Sequence, residues 1–251
     1  MLALVPSSPS WRRAGIIAAL GLIGVASLLA STVVPPDLVA DAGIPYDALR
    51  FIVLIQPAVL VIAAAIVGDR LTRTTHLNAP FVSGTREVPL RSAVIAALVG
   101  GVVVGVILTT YNWITTEVAS VTLVPGTSLS LVTAVLYGGL TEEVLIRWGL
   151  MGVTVWVVMK LRRRSNDQGP STPIIATAIG VTSITFAALH FPALFALTDP
   201  SVTVIVASFT ANVLAGVVFG ALFAARGLES AMGAHAGAHV VGAGLTALLL
   251  G

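Results

Sequence analysis

The sequence predicts an all-α, polytopic membrane protein of about seven transmembrane helices. Of its 251 residues, 57% are hydrophobic and only 10% are charged, whereas a soluble domain carries about 25% charged residues. The mean hydropathy is +1.01, and the hydrophobic residues are gathered in long runs. Composition and run length together indicate a single integral membrane domain over residues 1–251.

Seven runs are long enough to cross a bilayer, which takes about 17 to 25 apolar residues. We number them spans 1 to 7, and they cover residues 14–34, 51–68, 92–110, 129–159, 174–193, 202–225 and 230–250. Span 4 is too long for one straight helix, so we expect a bend at Gly138 and Gly139, which leaves room for an eighth span. Span 1 is expected to stay uncleaved, because Leu28, at position −3 of a cut after Ala30, is too large for a signal-peptidase site.

Small residues recur within the spans at intervals of three to five positions. They are Gly100, Gly101 and Gly105 in span 3, Gly216 and Gly220 in span 6, and Gly233 and Gly237 in span 7. Such spacing lets helices approach closely in lipid, where packing replaces the hydrophobic driving force. We therefore expect a compact bundle.

The basic residues predict the orientation in the cell membrane. If the spans simply alternate, eleven of the 13 Lys and Arg fall on one side: Arg12, Arg13, Arg70, Arg73, Arg86, Arg91, Lys160, Arg162, Arg163, Arg164 and Arg226. The opposite loops hold Asp37, Asp41, Asp47, Glu117 and Asp199, with Arg50 as the one basic exception. By the positive-inside rule the N-terminus is cytoplasmic. The sequence pI near 9.5 therefore reflects orientation in a lipid bilayer, and no nucleic-acid partner is expected.

Span 4 carries three charged side chains, Glu142, Glu143 and Arg147. Each charge at the bilayer centre costs about 2.5 to 3.5 kcal/mol, so three within six residues indicate a protected interior site. On an α-helix, Glu143 and Arg147 lie four residues apart and can form an ion pair, whereas Glu142 points about 100° away and is left unpaired. An unpaired carboxyl there suits a general base or acid. The alternative is a structural polar cluster that pins helices together.

Three of the four histidines also lie in the predicted spans. His190 is near the end of span 5, and His235 and His239 lie four residues apart on one face of span 7. With Glu142 they could supply ligands for a divalent metal such as zinc, or hydrogen-bond donors for an oxyanion. The His-Glu-x-x-His motif of soluble zinc proteases is absent, and the chain has no cysteine. Metal-bound and metal-free sites are both compatible with these residues.

Three motifs on separate spans carry a family resemblance. Glu142-Glu143-x-x-x-Arg147, then Phe186-x-x-x-His190, then His235 with a partner four residues on resemble the CPBP superfamily, over about residues 129–241. That group contains the type II CAAX prenyl endopeptidases and the bacteriocin-processing or immunity proteins often called the Abi family. The resemblance implies an intramembrane endopeptidase in which Glu142 activates water, with Glu143 and Arg147 in support. It also implies that His190 assists Glu142, and that His235 with His239 polarises the scissile carbonyl or holds a metal.

Two features depart from this pattern. The family usually has Asn or Asp where this chain has His239, which shifts the site toward metal binding or weakens an oxyanion donor. Under simple alternation, His190 and His235 also lie toward opposite ends of their spans, roughly a dozen ångströms apart in depth. We therefore expect either that span 5 extends past Pro192 toward Leu197 or that a helix is broken or re-entrant.

The predicted function is intramembrane cleavage of a peptide or membrane-protein substrate. One alternative is a non-proteolytic membrane scaffold or immunity protein that binds a partner through the same cavity. The other is a proton-coupled transporter that uses the carboxylates and histidines as a relay. The sequence disfavours a transporter, because it lacks paired broken spans in two similar halves.

Overall fold

A computed structural model describes residues 8–31, 45–85, 88–119 and 130–250, and these residues form helices and no strands. Seven helical segments are long and apolar enough to cross a membrane: Trp11–Ala30, Tyr46–Thr72, Leu90–Val118, Leu131–Leu161, Thr172–Ala196, Val202–Arg226 and Leu228–Leu249. The prediction of seven spans is confirmed, and we keep their numbers. The described residues contain no eighth candidate span. Asp37, Asp41 and Arg86, which contribute to the charge pattern that predicts orientation, lie outside the described residues.

The spans are built mainly from α-helices. These run over Trp11–Ser27, Tyr46–Thr75, Pro80–Ser83, Leu90–Trp113, Leu131–Thr133, Gly152–Leu161, Thr172–Leu189, Phe191–Leu197, Val202–Arg226 and Leu228–Leu249. Short 3₁₀ turns cover Leu28–Ala30 and Asn166–Gln168. Two segments, Ile114–Val118 and Ala134–Met151, are wound as π-helix. The second of them forms the middle of span 4.

Glycines mark the closest helix contacts, as the small-residue pattern predicts. A Cβ placed on Gly101 of span 3 would lie 3.2 Å from the carbonyl oxygen of Ala234 in span 7. A Cβ on Gly216 of span 6 would lie 2.8 Å from Cβ of Ser183 in span 5. A larger residue at either position would push two helices apart, so these glycines set the spacing around the spans that carry the histidines.

A buried ion pair joins the start of span 1 to the end of span 2. Nε of Arg13 lies 2.5 Å from Oδ1 of Asp69, and the two side chains are 5% and 3% exposed. Arg13 also donates to Thr72 and to the carbonyl of Ser8, and its guanidinium lies 5.9 Å from the Trp148 ring. In the sequence, Arg13 serves only as an orientation signal, and nothing singles out Asp69. The structure corrects this, because Arg13 also has a structural role.

Other contacts join further segments at this end of the bundle. The Glu229 carboxylate at the start of span 7 accepts hydrogen bonds from the backbone amides of Phe81 and Val82. Gly169, between spans 4 and 5, packs against the His76 ring beyond span 2. These contacts agree with simple alternation of the spans. The cytoplasmic location of this end stays a prediction from charge.

Candidate active site

The wide winding of span 4 determines which of its side chains share a face. From Ala134 to Met151 the helix is π-type, with hydrogen bonds from residue i to residue i+5. Residues four and five positions apart are therefore neighbours on its surface. This brings Gly138, Glu142, Glu143 and Arg147 toward one side, so the α-helical assumption that separated the two glutamates is wrong. Short π segments are frequently found at functional sites, and here the segment contains the whole motif.

Spans 1 and 2 each accept a hydrogen bond from the π-helical segment of span 4. Thr141 Oγ1 donates to the carbonyl oxygen of Gly21 in span 1 at 2.7 Å. Trp148 Nε1 donates to the carbonyl oxygen of Ala65 in span 2 at 3.1 Å. The first spans show no motif of their own, yet through these contacts they fix the position of the motif helix.

The Glu143–Arg147 ion pair is confirmed. Arg147 Nε lies 3.4 Å from Glu143 Oε2, and both side chains are fully buried. No nitrogen of the Arg147 side chain has a hydrogen-bond partner within the described part of the chain. Its guanidinium instead lies 5.1 Å from the Phe186 ring centre and 5.9 Å from that of Phe219. Glu143 and the electron-rich faces of two rings thus offset the buried charge.

His235 contacts both glutamates. Its Nδ1 lies 2.9 Å from Oε1 of Glu143, and its Nε2 lies 3.7 Å from Oε2 of Glu142. Because an ionised carboxylate can only accept, Nδ1 carries a proton toward Glu143, and Nε2 is the nitrogen on the Glu142 side. Among the described residues Arg147 pairs with Glu143, and Glu142 has His235 of span 7 beside it. Glu142 is nevertheless the more accessible carboxylate, since its side chain is 22% exposed and that of Glu143 is 0% exposed.

Three rings hold the His235 imidazole in place. Phe219 stacks on it at 4.3 Å with an interplanar angle of 19°. His239 stacks at 5.2 Å and 23°, and Phe186 meets it edge-on at 5.9 Å. Packing on all these sides leaves the ring little freedom to rotate away from the glutamates.

His190 lies beside the same phenyl ring. Its ring centre is 4.6 Å from that of Phe186, and its Nδ1 is 2.7 Å from the Phe186 carbonyl oxygen. A carbonyl accepts, so Nδ1 is the protonated nitrogen and Nε2 is available to other groups. His190 forms no ion pair with Glu142 among the described residues. The structure therefore places His190 next to the cluster without a direct contact to Glu142.

The continuation of span 5 brings His190 and His235 together. The helix Thr172–Leu189 is followed by Phe191–Leu197 with His190 at the junction, and the span reaches Ala196. Of the two expectations, extension past Pro192 is confirmed. The large depth difference assumed for simple alternation is wrong, because both histidines contact Phe186.

Gly138 provides space where two imidazoles converge. A Cβ at this position would lie 2.7 Å from Nε2 of His239 and 3.0 Å from Nε2 of His235. The adjacent Gly139 packs against Ala236, where a Cβ would approach the Ala236 methyl to 2.8 Å. The Gly138-Gly139 pair therefore allows span 7 to come close to span 4, with the two Nε2 atoms facing span 4.

The candidate metal ligands do not form a coordination set. Among the described residues, no group of three or more His, Cys, Asp or Glu side chains is positioned to hold a metal ion. Nδ1 of His235 is committed to Glu143, and His190 directs Nδ1 to a carbonyl. His235 contacts Glu142 at 3.7 Å and stacks on His239 at 5.2 Å, and His190 joins the group through the Phe186 ring.

Sequence reasoning missed Phe219 and the steric role of Gly138. Phe219 lies between Gly216 and Gly220, two glycines that the sequence marks as helix-packing positions. An aromatic residue beside such glycines was the one available signal that its ring packs against a neighbouring span. Gly138 was interpreted as a bend. The spacing of His235 and His239, four residues apart on span 7, was the available signal that two imidazoles could lie against a glycine of span 4.

Comparison with known proteins agrees with the motif resemblance. Residues 124–241 match the model of a protease family, Type II CAAX prenyl endopeptidase Rce1-like. No curated protein and no solved structure gives a significant match to the chain. The matched region contains the glutamates and arginine of span 4 and all three membrane histidines, and it lies in a chain with seven helices able to cross a membrane. This multi-pass membrane protein therefore matches, over residues 124–241, the Rce1-like family of type II CAAX prenyl endopeptidases.

Proposed function

We propose that this protein is an intramembrane endopeptidase in which Glu142 activates the attacking water. The observation that carries the proposal is the bridging position of His235, with Nδ1 at 2.9 Å from Glu143 and Nε2 at 3.7 Å from Glu142. One carboxylate is buried and paired with Arg147, and the other is partly exposed. This division suits one glutamate that orients the site and one that meets water and substrate.

Glu142 acts first as general base and then as general acid. Its carboxylate takes a proton from water while the water oxygen bonds to the carbonyl carbon of the scissile peptide, and the C=O π electrons move to the oxygen. When the tetrahedral intermediate collapses, the C–N bond breaks. Glu142 then returns the proton to the leaving nitrogen. One water is consumed, and the products are a carboxyl and an amine terminus.

His235 and His239 stabilise the developing oxyanion. Donation from both ring nitrogens requires the imidazolium form of His235, in which two carboxylates face one imidazolium and one guanidinium. The Nε2 atoms of His235 and His239 both border the space in front of Gly138. Preorganised donors in a water-poor site are an effective way to stabilise such charge.

His190 has a supporting role at the edge of the site. Its Nδ1 is fixed by the Phe186 carbonyl, so Nε2 can accept a proton or a hydrogen bond from water or from the leaving group. The lack of a direct pair with Glu142 among the described residues suggests that it acts through water or substrate. The substrate is a peptide or membrane-protein segment, and the protein acts in the cell membrane.

A cleavage assay on the purified full chain in proteoliposomes tests the proposal. The panel contains a farnesylated CAAX peptide, its unprenylated counterpart and a set of unrelated transmembrane peptides, each followed by mass spectrometry. In ¹⁸O water, direct attack by water labels the new carboxyl terminus with one ¹⁸O in a single turnover. Cleavage that His235→Ala abolishes supports the proposal. Absence of cleavage across the panel, or cleavage unaffected by His235→Ala, contradicts it.

A further inference from the structure

A cluster of basic residues lies outside the candidate active site, where span 4 ends. Residues 160–171 carry Lys160, Arg162, Arg163 and Arg164 against the single acid Asp167. In the described part of the chain, the guanidinium groups of Arg162 and Arg163 have no carboxylate partner, and both side chains are exposed. Four basic residues against one acid leave the segment with a net positive charge.

The backbone holds these arginines in a defined turn. The amide of Arg163 donates to the carbonyl of Lys160 and that of Arg164 donates to the carbonyl of Met159, both at 3.0 Å. This is the Schellman pattern that ends many helices, and its usual left-handed residue is glycine. Here that residue is Arg163, at φ 51°. A bulky residue in the left-handed region is unfavourable, so the backbone at Arg163 is strained.

The turn also fixes the third arginine. Nε of Arg164 donates to the Gly169 carbonyl at 2.5 Å, and the side chain is partly buried. Gly169 is left-handed, at φ 60°, and a Cβ there would lie 2.7 Å from the His76 ring. The loop is thus packed against the end of span 2, and its arginines project from an ordered support.

The three arginines line an open cavity of about 460 Å³ together with Gln168, Ser171 and Ile174. Ile174 is buried at the start of span 5, so the cavity lies where two membrane spans end. Guanidinium groups match the oxygens of a phosphate, with several donors in a planar fork. Basic pockets between transmembrane helices near the surface suit the headgroups of anionic lipids.

We propose that this cavity binds the phosphate of an anionic phospholipid headgroup. Arg162 and Arg163 contact the phosphate oxygens, Gln168 and Ser171 offer further hydrogen bonds, and the acyl chains lie along the apolar start of span 5. The site is separate from Glu142 and from the cleavage chemistry. Lipid occupancy would join the loop between spans 4 and 5 to the bilayer surface.

The test compares lipid binding to the purified full chain and to two variants. Arg163→Gly removes a charge and also relieves the left-handed backbone, so it is expected to fold at least as well as wild type. Arg162→Gln removes the neighbouring charge. Arg91→Gln is the matched control, because Arg91 is exposed in the first turn of the helix Leu90–Trp113 and does not line the cavity. Native mass spectrometry measures retained phosphatidylglycerol and phosphatidylcholine, and thermal unfolding measures the stabilisation that each lipid gives.

Wild type is expected to retain phosphatidylglycerol in preference to phosphatidylcholine. Arg163→Gly and Arg162→Gln should each weaken retention about tenfold, while Arg91→Gln leaves it unchanged. Equal retention of both lipids, or an equal loss in Arg91→Gln, overturns the proposal. Inorganic phosphate is titrated as a separate probe. If it stabilises wild type as much as phosphatidylglycerol does, and the cavity variants remove that effect, the assignment to a lipid is overturned in favour of a soluble phosphate ligand.

Discussion

Nδ1 of His235 lies 2.9 Å from Oε1 of Glu143, and neither side chain is more than 5% exposed. The second oxygen of the same carboxylate faces Arg147 at 3.4 Å. Glu143 thus connects an arginine on its own helix to a histidine on span 7. In the proposed mechanism Glu143 orients His235, and in the structure it also offsets a buried guanidinium.

A pair of variants separates these two roles. Glu143→Gln should lower kcat roughly 100-fold or more with little change in KM, because the His235 ring loses its charged orienting partner. It should also lower the free energy of unfolding by about 3 to 5 kcal/mol, since Arg147 is left buried without a counter-charge. Steady-state kinetics and thermal unfolding in detergent measure the two effects.

The double variant Glu143→Gln with Arg147→Met removes both charges. We expect much of the stability to return, because buried ion pairs are often replaceable by apolar side chains, while kcat stays low. Recovery of kcat along with stability would mean that Glu143 matters only for folding.

Gly138→Ala should impair cleavage without unfolding the protein. The added methyl would lie 2.7 Å from Nε2 of His239 and 3.0 Å from Nε2 of His235, so both rings must shift. We expect a fall in kcat of about tenfold or more, because the donors move from the oxyanion position. Gly152→Ala is the control on the same span, since a Cβ there meets no atom within 4 Å. Equal activity of the two variants would contradict the placement of the two imidazoles.

His239 is the position at which this chain differs from the usual residue of the family it resembles. His239→Asn should keep activity within about tenfold of wild type, since an amide can donate the same kind of hydrogen bond. His239→Ala should lose about 100- to 1,000-fold, the loss typical of a missing oxyanion donor. The rates of peptide cleavage by His239→Asn and His239→Ala, measured against wild type, test whether residue 239 donates to the oxyanion. Activity in His239→Ala equal to that in His239→Asn would exclude a donor role.

Much of the fold could be predicted because the bilayer restricts it. Seven apolar runs become seven helices, and the glycines of spans 3 and 6 mark contacts that lipid-embedded packing requires. The Glu143–Arg147 pair followed from spacing alone, since four positions separate neighbours on an α-helix and remain close on a wider one.

The relative positions of side chains from different spans could not be predicted in the same way. The π winding of 134–151 has no signal in the spacing of the motif, and neither does the 3.7 Å approach of Glu142 to His235. The depth of His190 in the bundle also depends on how far span 5 continues beyond it, and the structure extends the span to Ala196. The Arg13–Asp69 pair could not be predicted from spacing, because the two residues lie 56 positions apart in the chain.

The Arg13–Asp69 pair gives a prediction about stability alone. Asp69→Ala should lower the free energy of unfolding by about 3 to 5 kcal/mol, because it leaves a buried guanidinium without its carboxylate. Cleavage per folded molecule should stay near wild type. Asp47→Ala, at an exposed position near the start of span 2, is the control and should shift stability by less than about 0.5 kcal/mol. Equal melting temperatures for the two variants would contradict the ion pair.

The most direct test of the account is the cleavage rate of Glu142→Gln beside that of Glu117→Gln. Glu117 is an exposed glutamate at the end of span 3, so the second variant makes the same chemical change away from the site. With folding and membrane insertion matched to wild type, we predict a loss of about 10²- to 10⁴-fold for Glu142→Gln and no loss for Glu117→Gln. Cleavage by Glu142→Gln at the wild-type rate would contradict the assignment of Glu142 as the base.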